Sequence, residues 1–194
     1  MGKRVEQKEK QRQNLLNVSL DLFVRRGYHG TTVRDIAEQA HTSVGLVFHY
    51  FPTKQAILEE LARFAHIGTS SARDLLTAPF PPLKIFEQIV EMTLHYLEEP
   101  TASSLFLLVN QINTLESIPE HIKQIVNSSG VVRASIPIIL KGQQMGEIKT
   151  GDPLSLSLAF WGALQGIAEV RLWFPDAPVP DSRCIVDIMK VCRE

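Results

Sequence analysis

The chain reads as all-α, and three features of its sequence say so. Apolar residues recur at three- and four-residue spacing through most of its 194 residues. No stretch of strand length alternates apolar with polar side chains. The breaks fall where glycine and proline gather, at Gly27, at residues 77–82 (TAPFPP), at Pro100 and at residues 146–153 (GEIKTGDP). About nine helices fit between them, as a three-helix head over residues 1–54 and a helical domain over residues 55–194. The 44% hydrophobic content suffices for a buried core.

The first helix is expected over residues 8–26. Leu16, Leu20 and Phe23 share one face, Ser19 is small enough for close helix contact, and Lys8, Lys10 and Arg12 lie at the exposed start. Gly27 supplies the left-handed position that ends this helix, with Tyr28 folding back against it. The second helix carries Val33, Ile36, Ala37 and Ala40 on one face, and Thr32 stands three residues before Asp35 as a capping pair. The third runs over residues 43–51, with Thr42 and Ser43 as its caps. A fourth begins at Lys54 behind Thr53 and continues through Leu58, Leu61 and Ala62 to Leu76. A fifth is stopped by Pro100, and a sixth spans residues 102–115. Next comes a long helix over residues 119–145, bent or divided by Ser128, Ser129 and Gly130 and by Pro137. A closing pair covers residues 154–174 and 184–191.

Helices as short as the second and third are marginal alone and need each other's apolar faces. Joined by a turn of three or four residues they make a helix-turn-helix, whose second helix can enter the DNA major groove. A pair that only fills a core has the same pattern. The residues themselves go further. RRGYHGTTVRDIAEQAHTSVGLVFHYFPTKQAIL, residues 25–58, closely resembles the DNA-binding signature of the TetR family of bacterial transcriptional regulators. The match lies in Gly-Tyr, Thr-Thr, Ile-Ala, Gly, the aromatic-His-Tyr-Phe run and the following Lys. It is near continuous over residues 15–58; beyond them only the architecture is similar, including the link over residues 146–153.

Roles in DNA binding follow from the helix pair. Thr31 and Thr32 open a helix, where hydroxyls and backbone N–H groups suit a phosphate. Arg34 in the first turn opposes the helix dipole unless an anion is near, or is an ordinary surface arginine. Thr42, Ser43, Val44, Gly45, Leu46, Phe48 and His49 form the expected recognition face, with Val47 and Phe51 toward the core. Tyr50 and Lys54 resemble the family's phosphate contacts, and Lys54 is again a cation where the dipole disfavours one. Tyr50 also suits a half-buried core aromatic, and His49 suits a base edge, a phosphate or solvent. The sequence departs from its family at Val44, where Lys, Arg or Gln is frequent, and at Leu46, where Thr is. No charged side chain remains to grip guanine, while apolar ones read thymine methyl groups. A site rich in A and T at the contacted positions is the expectation.

A net charge of -1 would argue against nucleic acid if it were spread evenly, but residues 1–56 hold nine Lys and Arg against five Asp and Glu. A solvated basic face gives the same bias. Cys184 and Cys192 read as packing residues rather than a disulfide, and no CxxC or Cys/His zinc spacing exists. The N-terminus lacks the apolar core of a signal peptide, and Glu6 breaks the myristoylation pattern after Gly2. The longest uncharged apolar stretch, residues 153–168, is shorter than the roughly 18 residues that span a membrane. A cytoplasmic protein needing no cofactor and no metal is expected.

The helices over residues 64–144 mix apolar side chains with scattered polar ones in a way that suits an internal pocket. Phe64, His66, Met92, His95, Tyr96 and Phe106 are candidates to line it, as are Asn110, Gln111, Asn113 and Gln143, with Trp161 and Gln165 from the closing pair. Each taken singly suits core packing or surface hydrogen bonding better than a pocket. An inducer is implied mainly by the resemblance, and the scarcity of charge at these positions points to a mostly hydrophobic small molecule. The helix over residues 154–174 is apolar nearly all round, so more than one of its faces is buried. Leu156, Phe160, Gly162, Ala163, Gly166 and Ile167, with Ile185, Ile188 and Met189 from the last helix, are expected at an isologous dimer interface or within one subunit's core. The resemblance implies a four-helix bundle there, giving the two recognition helices a palindromic operator needs. The resulting expectation is a homodimeric repressor released from its operator by a ligand, with an activator or an architectural DNA-binding protein as alternatives. A metal-dependent enzyme is the distant one: Glu91 and His95 share a helix face with His66 or His121 as further ligands, but no third ligand has convincing spacing.

Overall fold

The computed structural model describes residues 2–174 and 176–191. Among them eleven helical segments follow in order: α1 (Gly2–Arg26), α2 (Val33–Gln39), α3 (Val44–Tyr50), α4 (Lys54–Leu76), α5 (Pro82–Tyr96), α6 (Pro100–Thr114), α7 (Glu120–Asn127), α8 (Val131–Ala134), α9 (Ile136–Gln144), α10 (Pro153–Trp173) and α11 (Ser182–Val186). Two of them, α8 and α11, are about one turn each. Contacts divide the chain into two compact units, Met1–Ala65 with Leu107–Val126, and His66–Phe106 with Asn127–Glu194.

In the first unit α1 buries Leu15, Leu16, Leu20, Leu22 and Phe23. It starts well before residue 8, because Glu6, Gln7, Lys8, Glu9 and Lys10 are good helix formers and extend it as an exposed rod. Gly27 ends it at φ +77°, and the Tyr28 ring folds back edge-on to Phe23 with centroids 5.3 Å apart. A reciprocal capping box opens α2: the Asp35 amide donates to the Thr32 hydroxyl, and the Thr32 amide donates to the Asp35 carboxylate. The turn into α3 is a Schellman motif, in which Thr42 N–H donates to the Ala37 carbonyl and His41 N–H to that of Glu38. His41 holds the left-handed position at φ +51°, where glycine is the usual occupant. Ser43 then caps α3 by accepting from Leu46 N–H at 3.1 Å.

The second unit is built on an apolar cluster to which α5 contributes Ile85, Phe86, Ile89, Val90 and Leu94 and α10 contributes Leu156, Phe160, Leu164 and Ala168. The Phe86 and Phe160 rings meet edge to face at 4.9 Å. Pro100 begins α6 instead of merely ending α5, as its missing N–H costs nothing in a first turn. The long helix of residues 119–145 is divided into α7, α8 and α9. Gly130 takes a left-handed φ of +56° before α8, and Ser135 separates α8 from α9, whose first turn holds Pro137. The last helix expected over residues 184–191 is only α11. Past Val186 the backbone turns and pairs with the link, Lys149 N–H donating to the Met189 carbonyl beside an isolated antiparallel bridge from Ile148 to Lys190. Cys184 is exposed rather than packed, and Cys192 lies outside the described residues.

The left-handed His41 carries a strain of roughly 1 kcal/mol that glycine does not. His41→Gly is therefore expected to raise the stability of the first unit by about that amount, read as a higher midpoint in thermal unfolding. A lowered midpoint would show that the imidazole contributes more than the backbone costs.

Candidate nucleic-acid interface

Two faces of α3 divide cleanly. Val47 and Phe51 are buried, and Tyr50 and Leu46 half-buried, so one side of the helix is fastened to the first unit. Ser43, Val44, Gly45, Phe48 and His49 are exposed on the other, with Phe48 47% accessible. His49 packs edge-on to Tyr50 at 5.4 Å. Thr42 is half-buried in the turn, and Arg34 is exposed in the first turn of α2. α3 itself carries only His49 as a basic group.

Several expected roles change. Thr31 is fully buried, and its hydroxyl donates to the carbonyls of Leu22 and Gly27, so it closes the α1 end and is not offered to DNA. Thr32 spends its hydroxyl on Asp35, and that carboxylate takes the start of α2 that had been reserved for a phosphate. The Thr32 hydroxyl and amide, helped by Arg26 and Arg34, hold the Asp35 carboxyl below the usual carboxylate range. Lys54 does not reach outward either. Its Nζ donates to the carbonyls of Tyr28 at 2.6 Å and Thr31 at 2.7 Å, and sits 4.3 Å from the centre of the Tyr28 ring. Carbonyl dipoles and a ring face thus answer the cation that sequence assigned to a phosphate. Burial pushes the Lys54 ammonium pKa down.

The candidate pocket residues are distributed over both units. In the second unit His66 bonds Ser70 at 2.8 Å and Ser128 at 3.3 Å, while Met92 and Phe106 pack against the apolar cluster. His95 stands in solvent beside Glu98, and Tyr96 is exposed. Gln143 donates to the carbonyls of Lys149 and Gly151, fastening the link instead of lining a cavity. Trp161 donates its indole N–H to Ser135 Oγ at 3.0 Å, and Gln165 donates to the Phe106 carbonyl and Glu169. In the first unit Phe64 and Asn113 are exposed, Asn110 is half-buried, and Gln111 donates to the Val24 carbonyl. Among the described residues no three His, Cys, Asp or Glu side chains gather as metal ligands, and no helix is long and apolar enough to cross a membrane.

The candidate interface residues separate into two groups. Leu156, Phe160, Ile185 and Met189 are buried in the second unit's own core, because the i, i+4 row that continues through Leu164 and Ala168 faces α5 and α11. Gly162, Ala163, Gly166, Ile167 and Ile188 are open or half-buried. Five of the nine, Ala163, Gly166, Ile167, Ile185 and Ile188, line an apolar groove of about 560 Å³ together with Val170, Arg171, Ala177, Pro178, Pro180 and Cys184. Leu154, Leu158, Val170, Trp173 and Phe174 are large exposed apolar side chains that had not been singled out. The signal was present in the spacing Leu158, Gly162, Gly166, Val170, a second i, i+4 row opposite the buried one.

Comparison with known proteins agrees with this architecture. Residues 15–61 match the family described as bacterial regulatory proteins, tetR family. The HTH-type transcriptional regulator RutR of Escherichia coli K12 is 25% identical over 179 residues, 87% of this chain and 78% of that protein. The HTH-type transcriptional repressor KstR2 of Rhodococcus jostii is 39% identical over 56 residues, 29% of this chain and 28% of that protein. The crystal structure of AibR in complex with isovaleryl coenzyme A and operator DNA superposes with a TM-score of 0.72 at 16% identity, over 91% of this chain and 94% of that one.

Losing the Lys54 ammonium leaves two carbonyls without their donor. Lys54→Ala is expected to cost about 1–3 kcal/mol in stability, measured by denaturant unfolding, while the salt dependence of DNA binding stays as in the wild type. A direct phosphate contact predicts the reverse, unchanged stability and a salt slope reduced by about one.

Proposed function

The chain belongs to the TetR family of bacterial regulatory proteins, and from that premise we propose that it is a ligand-responsive, sequence-specific DNA-binding repressor acting as a homodimer. The exposed face of α3 carries the proposal: Ser43, Val44, Gly45, Phe48 and His49 stand clear of a helix whose other side is anchored by Val47 and Phe51. A rigidly held helix with an uncovered row of side chains is what major-groove reading requires. Residues 1–54 do the reading, and residues 55–194 bind the ligand and the second copy.

Val44 and Phe48 offer methyl-contacting surface and no bidentate donor, so the preferred operator has A and T beneath them. Thr42 and Tyr50 flank this face, and Arg34 contributes charge beside it. AibR was captured with both an acyl coenzyme A and its operator, and a small molecule that changes operator affinity fits the present chain too. The ligand is a small, mostly hydrophobic molecule held by the second unit, and coupling to DNA amounts to a few kcal/mol. The protein works as a cytoplasmic switch on transcription and not as an enzyme.

The second copy sits on the exposed row of α10. A Cβ built at Gly162 or Gly166 meets no other atom within 4 Å, so both glycines leave room for a closely approaching helix. Leu158, Val170 and Trp173 continue the same surface.

Two measurements test this reading. Selection from random duplex DNA is expected to recover an inverted repeat with A·T pairs at the contacted positions, and Phe48→Ala to weaken its binding about tenfold or more without loss of stability. Paired guanines beneath Val44 and Phe48, or no consensus at all, would sink the assignment. Sedimentation is expected to give a dimer for the wild type and a folded monomer for Leu158→Glu. A Leu158→Glu protein that remains dimeric would move the interface elsewhere.

A further inference from the structure

α1 stops at Arg26, and its last carbonyls need donors that no further turn supplies. Thr31 serves two of the carbonyls in this corner, those of Leu22 and Gly27. The donor for Val24 comes from 87 residues along the chain: Gln111 Nε2, on α6, lies 3.2 Å from its oxygen. Just beyond α6, Ser117 Oγ lies 2.5 Å from His29 Nε2, again across 88 residues of sequence. His29 packs edge-on to Tyr28 at 5.2 Å, and the Tyr28 carbonyl is one of the two that hold Lys54. The same segment, Leu107–Val126, belongs to the first unit and buries Leu108, Ile112, Ile118 and Ile122. It therefore grips the corner from which α2 and α3 are hung.

We propose that Gln111 and Ser117 are positioning residues for DNA reading: they set the α1–α2 corner, through Val24 and His29, and hence the presentation of α3. Neither lies within residues 15–61, where the family match falls. The inference rests on the DNA-binding function proposed above. It also turns residue 111, read from sequence as a pocket polar group, into a helix cap delivered from a distance.

Gln111 separates positioning from stability. Its Oε1 is buried without a partner, so Gln111→Leu removes an orphaned acceptor and the donor to Val24 together at similar volume. The full-length protein first selects its operator from random duplex DNA. Affinity for that duplex is then measured by fluorescence anisotropy for Gln111→Leu, Ser117→Ala, Ser117→Thr and the His29→Ala/Ser117→Ala double variant, each alongside a thermal melt.

Gln111→Leu and Ser117→Ala are expected to bind about fivefold more weakly with midpoints near the wild type. Ser117→Thr restores binding, and adding His29→Ala to Ser117→Ala costs nothing further. Folded variants with wild-type affinity, or losses matching the unfolded fraction, would overturn the proposal while leaving DNA reading intact. A wild type that selects no duplex would remove the DNA reading, and this inference with it.

Discussion

One ammonium group ties the reading head together. Lys54 begins α4, where the helix dipole repels a cation, yet it is held there by two carbonyls and the face of Tyr28. Those carbonyls belong to the turn between α1 and α2, so one side chain joins the start of α4 to the corner that orients the helix-turn-helix. Thr31 works beneath it, buried, spending its hydroxyl on Leu22 and Gly27. Arg12 adds a tie from α1, 2.8 Å from Glu60 on α4 and 5.2 Å from the Phe51 ring. Short helices with little stability of their own are thus fixed by polar contacts that reach over the apolar core.

This arrangement explains why α3 can be so apolar. Charge near DNA supplies affinity that is blind to sequence, whereas contacts to base edges supply discrimination. Here the basic side chains Arg25, Arg26 and Arg34 are carried by α1 and α2 and not by α3. In the proposed complex Val44 and Phe48 would be free to read methyl groups, and the groove would cover their exposed surface.

Much of this was legible in sequence, and each failure has a physical cause. The apolar periodicity located the helices, Gly27 located the end of α1, and Thr32 with Asp35 announced a capping box that the structure contains. Thr31 and Lys54 take carbonyl partners that the sequence does not show, because a hydroxyl or ammonium at a helix start looks the same whether its partner is a phosphate or a carbonyl from the same chain. Sequence spacing cannot tell an internal acceptor from an external one. His41 was missed because a left-handed turn is normally written with glycine. Gln111 and Ser117 were unreadable for a different reason, since their partners lie 87 and 88 residues away and no local pattern links them. The short α11 follows likewise from a non-local bond, the link at Lys149 taking the Met189 carbonyl.

That shortening bears on how two copies meet. A closing pair of long helices offers each partner two parallel rows of side chains, as the four-helix bundle supposes. With α11 reduced to Ser182–Val186, and Ile185 and Val186 committed to the core, the second row is nearly absent. In the proposed dimer α10 must therefore supply most of the surface, and it does so by dividing its sides. Leu156, Phe160, Leu164 and Ala168 face inward, while Leu158, Gly162, Gly166 and Val170 face outward. The glycines would matter there because a helix with one good row gains area by letting its partner approach closely, and the segment at Ala177, Pro178 and Pro180, which lines the same groove, would form the rim. Such an interface would depend on α10 side chains far more than on α11.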